Sequence, residues 1–494
     1  MRIMDAIKSG IRSWLRVMPA QASMIAIQET LDFESNAIKN RLWYRGDGKE
    51  LSQLYSQIPG NETSFWGAKS TPGMEIRKIH VGLPGDIVDA MANIVVSDMG
   101  KIELKSKQEE WDKIAKENNF DDLVKKAVTE TLYIGDGAFK VSFDPMLSDL
   151  PIIEFYAGDK IDIHYRRGRV CEVVFKTSYI VKDQEYILQE TYGYGYIKYN
   201  LTKNGSECSL DSIEATKGLV DVTWDDNFMM AVPMMFHKSS KWEGRGKSIF
   251  DTKTDNFDAL DEAWSQWIDA LRANRTKEYI PENMLPRSPI TGEVLAPNSF
   301  DHRYIKTDAP LAEGLNNKIE LEQGEIPHES YLSTYVTALD LCLQGIISPS
   351  TLGIDGNKMK DDTATAQIER EKVTLYTRAN ILDALPGVIE KTVDCTMKAN
   401  ETMLAFMEKR SPKVENIEID VPFGEYNSPS FDAVITTVVA AKTGGVMSIE
   451  ASVEEMYGDT RDEEWKAEEV RRLKAEQGIA EVEELTIADI PQIE

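Results

Sequence analysis

Residues 251–276 read DTKTDNFDALDEAWSQWIDALRANRT. Phe257, Leu260, Trp264, Trp267, Ile268 and Leu271 recur at helical spacing, so the stretch predicts one long helix with a single apolar stripe. The next segment differs. Residues 278–324 hold Pro281, Pro286, Pro289, Pro297 and Pro310 with Gly292, Gly314 and Gly324. That is too long for a plain loop and too broken for a core, and it reads as a small β-rich excursion. A second helix is expected over about 327–345. ISPSTLGIDGNKMK, residues 347–360, ends it, because Ser348-Pro349 and two glycines do not continue a helix. Helix resumes at Asp362 and runs to about Lys409, with a kink expected at Pro386-Gly387. The pattern is a two-helix stalk with a small head at one end and a loop at the other.

Outward from the stalk the periodicity changes. On the C-terminal side Ile417–Val421 is strand-like, the chain from about 430 is helical and acidic, and a tail follows Gly478. On the N-terminal side, residues 24–36 read as a helix leading to a Gly46-Asp47-Gly48 turn. A helix is expected at about 84–97, with Ile87, Ala90, Met91 and Ile94 on one face, and two more lie within 107–134. Between about 137 and 237 the period is two, and five runs read as strands: Phe139–Phe143, Ile152–Tyr156, Val170–Lys176, Tyr186–Tyr192 and Tyr196–Leu201. Arg167-Gly168-Arg169 and Asn204-Gly205 are hairpin signals. The fold class is α+β, with one antiparallel β region of about 100 residues.

Composition narrows the function. The 494 residues are 42% apolar and 9% aromatic, enough for a large core and for about three domains. No apolar run reaches membrane-spanning length. Lys and Arg number 56 and Asp and Glu 83, so the net charge is -27, and the chain is not built to coat nucleic acid. Cys171, Cys208, Cys342 and Cys395 are scattered, which suits a reducing compartment and gives no zinc spacing. His80, His164, His237, His302 and His328 offer no metal pair. Met1–Met18 is amphipathic, with Ile3, Met4, Ile7, Ile11, Trp14, Leu15 and Met18 apolar and Arg2, Lys8, Arg12 and Arg16 basic. Charges interrupt every candidate signal-peptide core. A packing or oligomer-contact helix is preferred there to a membrane-surface one.

The catalytic motifs fail. Glu243-Gly244-Arg245-Gly246-Lys247-Ser248 looks like the end of a phosphate-binding loop, but Lys241 stands where the first glycine belongs. It reads as a glycine-hinged loop before a helix. Gly135-Asp136-Gly137 is a tight turn with no third glycine in register. Asp361-Asp362 and Asp462-Glu463-Glu464 read as solvated faces, and an acid pair chosen among 83 carboxylates means nothing. Tyr192, Tyr194, Tyr196 and Tyr199 read as sheet packing rather than base stacking. No cofactor, metal site or catalytic residue is expected.

The order of parts resembles the portal proteins of tailed bacteriophages, in particular those of long-tailed phages and prophages of Gram-positive bacteria. IKNRLWYRG (38–46) resembles the family's N-terminal signature, and GRGKSIF (244–250) its entry to the stem. ISPSTLGID (347–355) with Thr363–Ile368 resembles the tunnel loop and long helix. VMSIEASVEEMYGDTRDEEWKAEE (446–469) resembles the crown. The resemblance implies a wing at 1–250, stem helices at 251–277 and 325–345, and a clip at 278–324. It further implies a tunnel loop at 346–361, a kinked long helix with return strand at 362–427, a crown at 428–480 and a flexible tail at 481–494. It implies a non-enzymatic ring, usually of twelve subunits, at one capsid vertex of the virion, assembled in the host cytoplasm. Double-stranded DNA passes through it without sequence specificity during packaging and ejection. The implied partners are the terminase motor, the head–tail adaptor, and the major capsid and scaffolding proteins, with no membrane. On that mapping Gly353, Gly356, Asn357, Lys358, Met359 and Lys360 face DNA, Lys358 and Lys360 as a basic ring. Arg272, Arg275 and Lys277 are further lumenal candidates, and Pro386 and Gly387 bend the long helix. The alternatives are another minor head or adaptor protein of the virion, and a hydrolase using carboxylates.

Overall fold

The computed structural model describes residues 29–70, 76–224, 228–274, 277–281, 285, 287–295, 303–307, 320–322, 324, 326–354, 364–413, 416–424, 438–439, 441–444, 446–457 and 463–476. It is a mixed helix-and-sheet fold of the α+β class. The helical N-terminal layer comprises α1 (Phe33–Arg45), α2 (Gly48–Gln57), α3 (Leu83–Val96), α4 (Gln108–Glu117) and α5 (Phe120–Ile134). Between α3 and α4, Glu103–Leu104 forms a short strand, β1.

The helix expected at 24–36 is displaced. α1 starts at Phe33 because Asp32 caps it, accepting from Ser35 N at 2.8 Å. It ends at Gly46, whose φ of 73° is the left-handed stop. Asp47 then caps α2 through Lys49 N and Glu50 N. One Gly-Asp step therefore closes one helix and opens the next. Residues 24–28 lie outside the described set.

The β region divides in two. β2 (Asp136–Ser142) pairs with β3 (Ile152–Ala157), and β10 (Ala231–Met235) returns to the other edge of β2. β4 (Ile161–Arg166), β5 (Arg169–Val181), β6 (Gln184–Gly193), β7 (Tyr196–Lys203) and β8 (Ser206–Cys208) follow in order in a second sheet, with β9 (Val222–Thr223) on β7. The turns at Arg167-Gly168 and Asn204-Gly205 have both φ values positive, as two-residue hairpins require. A third such turn, at Lys182-Asp183, uses no glycine. Phe139, Phe155, Tyr156, Phe175 and Tyr192 pack in edge-to-face pairs, and Lys140 on β2 reaches Glu190 on β6 at 2.8 Å. Tyr192 is buried, Tyr196 and Tyr199 are half-buried, and Tyr194 is exposed.

After the sheets come α6 (Thr254–Ala273), a three-stranded sheet of β11 (Lys277–Pro281), β12 (Arg303–Thr307) and β13 (Glu320–Glu322), and α7 (His328–Leu343). β11 lies in the middle, parallel to β12 and antiparallel to β13.

The expected single kinked helix is two helices, α8 (Ala364–Leu382) and α9 (Leu385–Met407). The break falls at Asp383-Ala384 rather than at Pro386-Gly387. Pro386 has no N–H to give, so it sits in the first turn of α9, where none is needed. α9 leads to β14 (Ile419–Asp420), which pairs with β1. α10 (Ile449–Tyr457) and α11 (Glu463–Glu476) form a hairpin closed by Tyr457 on Trp465 at 5.1 Å and Lys466 on Glu454 at 3.0 Å. One core cluster runs from Phe33 through both β layers to Val421, and a satellite of Tyr186, Leu188, Leu201 and Ile213 lies in the second sheet.

Candidate functional site

The region with the most specific construction is the α6–α7 pair and its seat in the body. The seat begins where the two Gly-X-Gly turns meet. Asp136, fully buried, accepts from Arg245 Nε at 2.9 Å, from Arg245 Nη2 at 2.8 Å and from Gly246 N at 2.7 Å. The guanidinium also donates to the carbonyls of Ile161 and Gly158 and lies 3.8 Å from the centre of the Phe33 ring. A Cβ on Gly246 would sit 2.0 Å from Gly135 O, and Gly135 itself has φ +120°. The glycines permit backbone contact between two distant segments. The 243–248 segment is thus fastened to the body through Arg245 and Gly246. Asp251 follows, accepting from Asn36 Nδ2 at 2.9 Å and Asn40 Nδ2 at 3.2 Å.

α6 carries two inward faces. Asp258, Asp261 and Ser265 recur at helical spacing and hold residues 65–66 and 79–81. Asp258 accepts from the amides of Phe65 (2.7 Å) and Trp66 (3.1 Å). Asp261 takes Trp66 Nε1 (3.0 Å), Val81 N (2.9 Å) and His80 Nδ1 (2.7 Å), and Ser265 Oγ takes Ile79 N (2.9 Å). Burial pushes the Asp258 carboxyl up from its ordinary value, against the two amides that pull it down. His80 Nε2 is buried with no hydrogen-bond partner among the described residues. The second face is aromatic. Trp264 packs on Tyr335 at 5.6 Å, and Trp267 stacks on Tyr331 at 6.3 Å, 14° from parallel. Lys253 Nζ and Asn256 Nδ2 both donate to Leu341 O at the C-terminal end of α7. The pair is therefore antiparallel, tied at its base and joined at its far end by the three-stranded sheet.

Beyond α7 the chain is fastened again. Ser348 N donates to Thr374 Oγ1 at 2.9 Å, and Thr351 and Thr374 hydroxyls bond at 2.7 Å. Arg378 on α8 reaches Asp98 and the carbonyls of Gly424 and Ile94. Residues 348–351 and the middle of α8 are thus fastened to one another and to the body.

The expected site residues fall unevenly on this frame. Gly353 ends a 3-10 turn, Pro349–Leu352, with φ +69°. Gly356, Asn357, Lys358, Met359 and Lys360 lie outside the described residues, as does Arg275. Arg272 occupies the last turn of α6, and Lys277 begins β11. Pro386 and Gly387 open α9. Sequence reasoning missed the Asp136–Arg245 joint and the Asp258–Asp261–Ser265 face. Among the described residues no group of three His, Cys, Asp or Glu side chains is placed for a metal ion, and no helix is long and apolar enough to cross a membrane.

No protein-family model matches the chain, and no curated protein matches it in sequence. Among solved structures it is similar to a chain of the neck of a native gene transfer agent particle, computed with C12 symmetry. The identity is 12% and the TM-score 0.39, over 76% of this chain and 90% of that one. It is also similar to a chain of the virion of a native gene transfer agent particle, at 12% identity and a TM-score of 0.37, over 92% of this chain and 96% of that one.

Proposed function

We propose that this protein is a portal protein, a ring at one capsid vertex through which double-stranded DNA is packaged and later ejected. The observation that carries the reading is the antiparallel α6–α7 pair with a small mixed sheet strung between its far ends. Its ordered neighbours in sequence, from IKNRLWYRG to the acidic 446–469 segment, agree with it. In this reading α6 and α7 are the stem, 278–324 the clip, 346–361 the tunnel loop and 428–480 the crown. The body of 1–250 is the wing, set against capsid and scaffolding proteins. The clip meets the terminase motor first and the head–tail adaptor afterwards. The protein performs no catalysis. It holds a duplex without reading its sequence, and Lys358 and Lys360 supply the lumenal cations.

The test is the native mass of the purified protein together with negative-stain images. A ring near twelve times 55.7 kDa with a central hole is expected. A monomer or dimer at every salt concentration removes the reading. Given rings, the double variant Lys358→Ala, Lys360→Ala should keep the ring and lower the amount of DNA packaged.

A further inference from the structure

The chain is strongly acidic, yet the tip of its β4–β5 hairpin is basic. Arg166, Arg167 and Arg169 crowd that tip, and all three are exposed. Arg166 and Arg169 are direct cross-strand partners, and like charges placed opposite one another destabilise a strand pair. None of the three forms a salt bridge among the described residues, although the chain carries 83 carboxylates. The other hairpins of this sheet avoid such a clash: Val181 faces Gln184, and Lys203 faces Ser206. A like-charge pair that no acid of its own fold relieves is suited to an anion from outside.

The loop at 238–245 stands beside the hairpin and shares with it a cavity of about 650 Å³. Tyr165, Arg167, Met235, Lys238, Glu243 and Gly244 are in its lining. The loop is fixed from within, since Ser239 N donates to Arg245 O at 2.9 Å and Lys238 pairs with Gly246. Gly244 has φ +77°, and a Cβ there would lie 2.9 Å from Tyr165 Cε2, so the missing side chain lets the ring close on the loop. Arg245 is matched by Asp136, and Lys241 by Glu29 at 3.3 Å. Arg167 and Lys238 are matched by nothing within salt-bridge reach among the described residues, and Glu243 is the one carboxylate in the lining. The cavity therefore joins two unmatched cations to an apolar wall of Tyr165 and Met235.

We propose that this cavity receives a short acidic segment of another protein. Carboxylates of the segment meet Arg167 and Lys238, and one apolar side chain lies between Tyr165 and Met235. Arginine clusters take acidic motifs through such charge-assisted bonds. A DNA duplex is the poorer occupant. It would extend past the patch onto a molecule of net charge -27, where its phosphates are repelled, whereas a short segment meets the patch alone. The proposal does not rest on the portal reading.

The experiment uses the full-length protein in whatever assembly it forms and the fluorescein-labelled peptide Glu-Leu-Glu-Tyr-Glu-Asp, followed by anisotropy. Saturable binding that weakens with salt is expected, with none for the peptide carrying Gln and Asn in place of Glu and Asp. The double variant Arg167→Glu, Lys238→Glu should weaken binding about tenfold or more, as loss of close charge pairs at an interface does. Glu243→Gln should tighten it, and Lys182→Glu, at the next hairpin tip, should leave it unchanged. Should the double variant lose its circular dichroism, Arg167→Gln, Lys238→Gln takes its place. Absence of binding overturns the proposal, as does equal loss with Lys182→Glu. A labelled duplex that competes for the same residues would make the patch a nucleic-acid site, and a fall in native mass in the double variant would make it a contact between copies; either overturns the proposal. A ring that does not bind the peptide removes this proposal alone, and a monomer that binds it removes the portal reading alone.

Discussion

At the scale of single residues, two charged groups make testable claims. Asp136 and Arg245 are a buried bidentate pair whose remaining hydrogen bonds are also filled. Breaking such a pair from one side leaves a buried charge uncompensated, a cost of about 3–5 kcal/mol. Asp136→Asn should lower the urea midpoint accordingly. Arg245→Lys should also destabilise, since an ammonium cannot span both carboxylate oxygens and two carbonyls. Glu401 makes the pH claim. Arg410 above all, then Lys413 N and Lys107, outweigh burial and hold its carboxyl down at about 2. The folded value lies below the unfolded one, so this contribution is complete above the unfolded value and fades as the pH falls toward 2. Denaturation midpoints of wild type and Glu401→Gln should differ near neutral pH and converge in acid. A constant gap would show that the carboxylate charge is not what Arg410 reads. Asp136 shows why residue-level roles were hard to read in the sequence. Both Gly-X-Gly turns were visible, but their meaning is mutual contact across 109 positions, and spacing along the chain carries no trace of that.

At the scale of elements, α6 is the case where pattern and role separate. Its apolar stripe predicted the helix. Its polar face was not singled out, because the chain has 83 carboxylates and nothing in the sequence ranks them. In the fold, Asp261 holds the Trp66 indole, the Val81 amide and His80 at once. Asp261→Ala should therefore loosen the 76–81 segment, with amide exchange of Val81 rising about tenfold or more, while α7 keeps its protection. If α7 loosened equally, the polar face would belong to the helix pair and not to its seat. The glycine-marked turns at Arg167-Gly168 and Asn204-Gly205 were legible, but the strands β4 and β8 beside them were not read. At Lys182-Asp183 the two flanking strands were read and the turn was not, because two non-glycine residues take positive φ there. The strand pattern also missed that β10 leaves the meander to pair with β2, because register is a long-range choice that local alternation does not encode. The α8–α9 break was misplaced for a plain reason. A proline restricts the residues before it and is tolerated inside the first turn, so the break falls upstream of Pro386.

At the scale of the whole molecule, the argument turns on charge. A chain of net -27 repels a phosphate backbone, and ring closure in the proposed assembly multiplies that repulsion around a single channel. A conduit gains from this, because a duplex that neutralises few of its phosphates releases few counterions and is not held in place. Non-specific DNA-binding proteins reach dissociation constants of about 10⁻⁴–10⁻⁶ M at physiological salt. The assembled ring should bind a short linear duplex more weakly than that. The logarithm of its affinity should be nearly flat against the logarithm of salt concentration, as fluorescence anisotropy can measure. Replacing Lys358 and Lys360 should change that slope by little, since they are two of the 56 cations set against 83 carboxylates in each chain. Tight binding that falls steeply with salt would mean that the lumen is a cationic track. The acidic composition would then belong to the outer surface, and the sliding argument would lose its basis even if the ring itself were found.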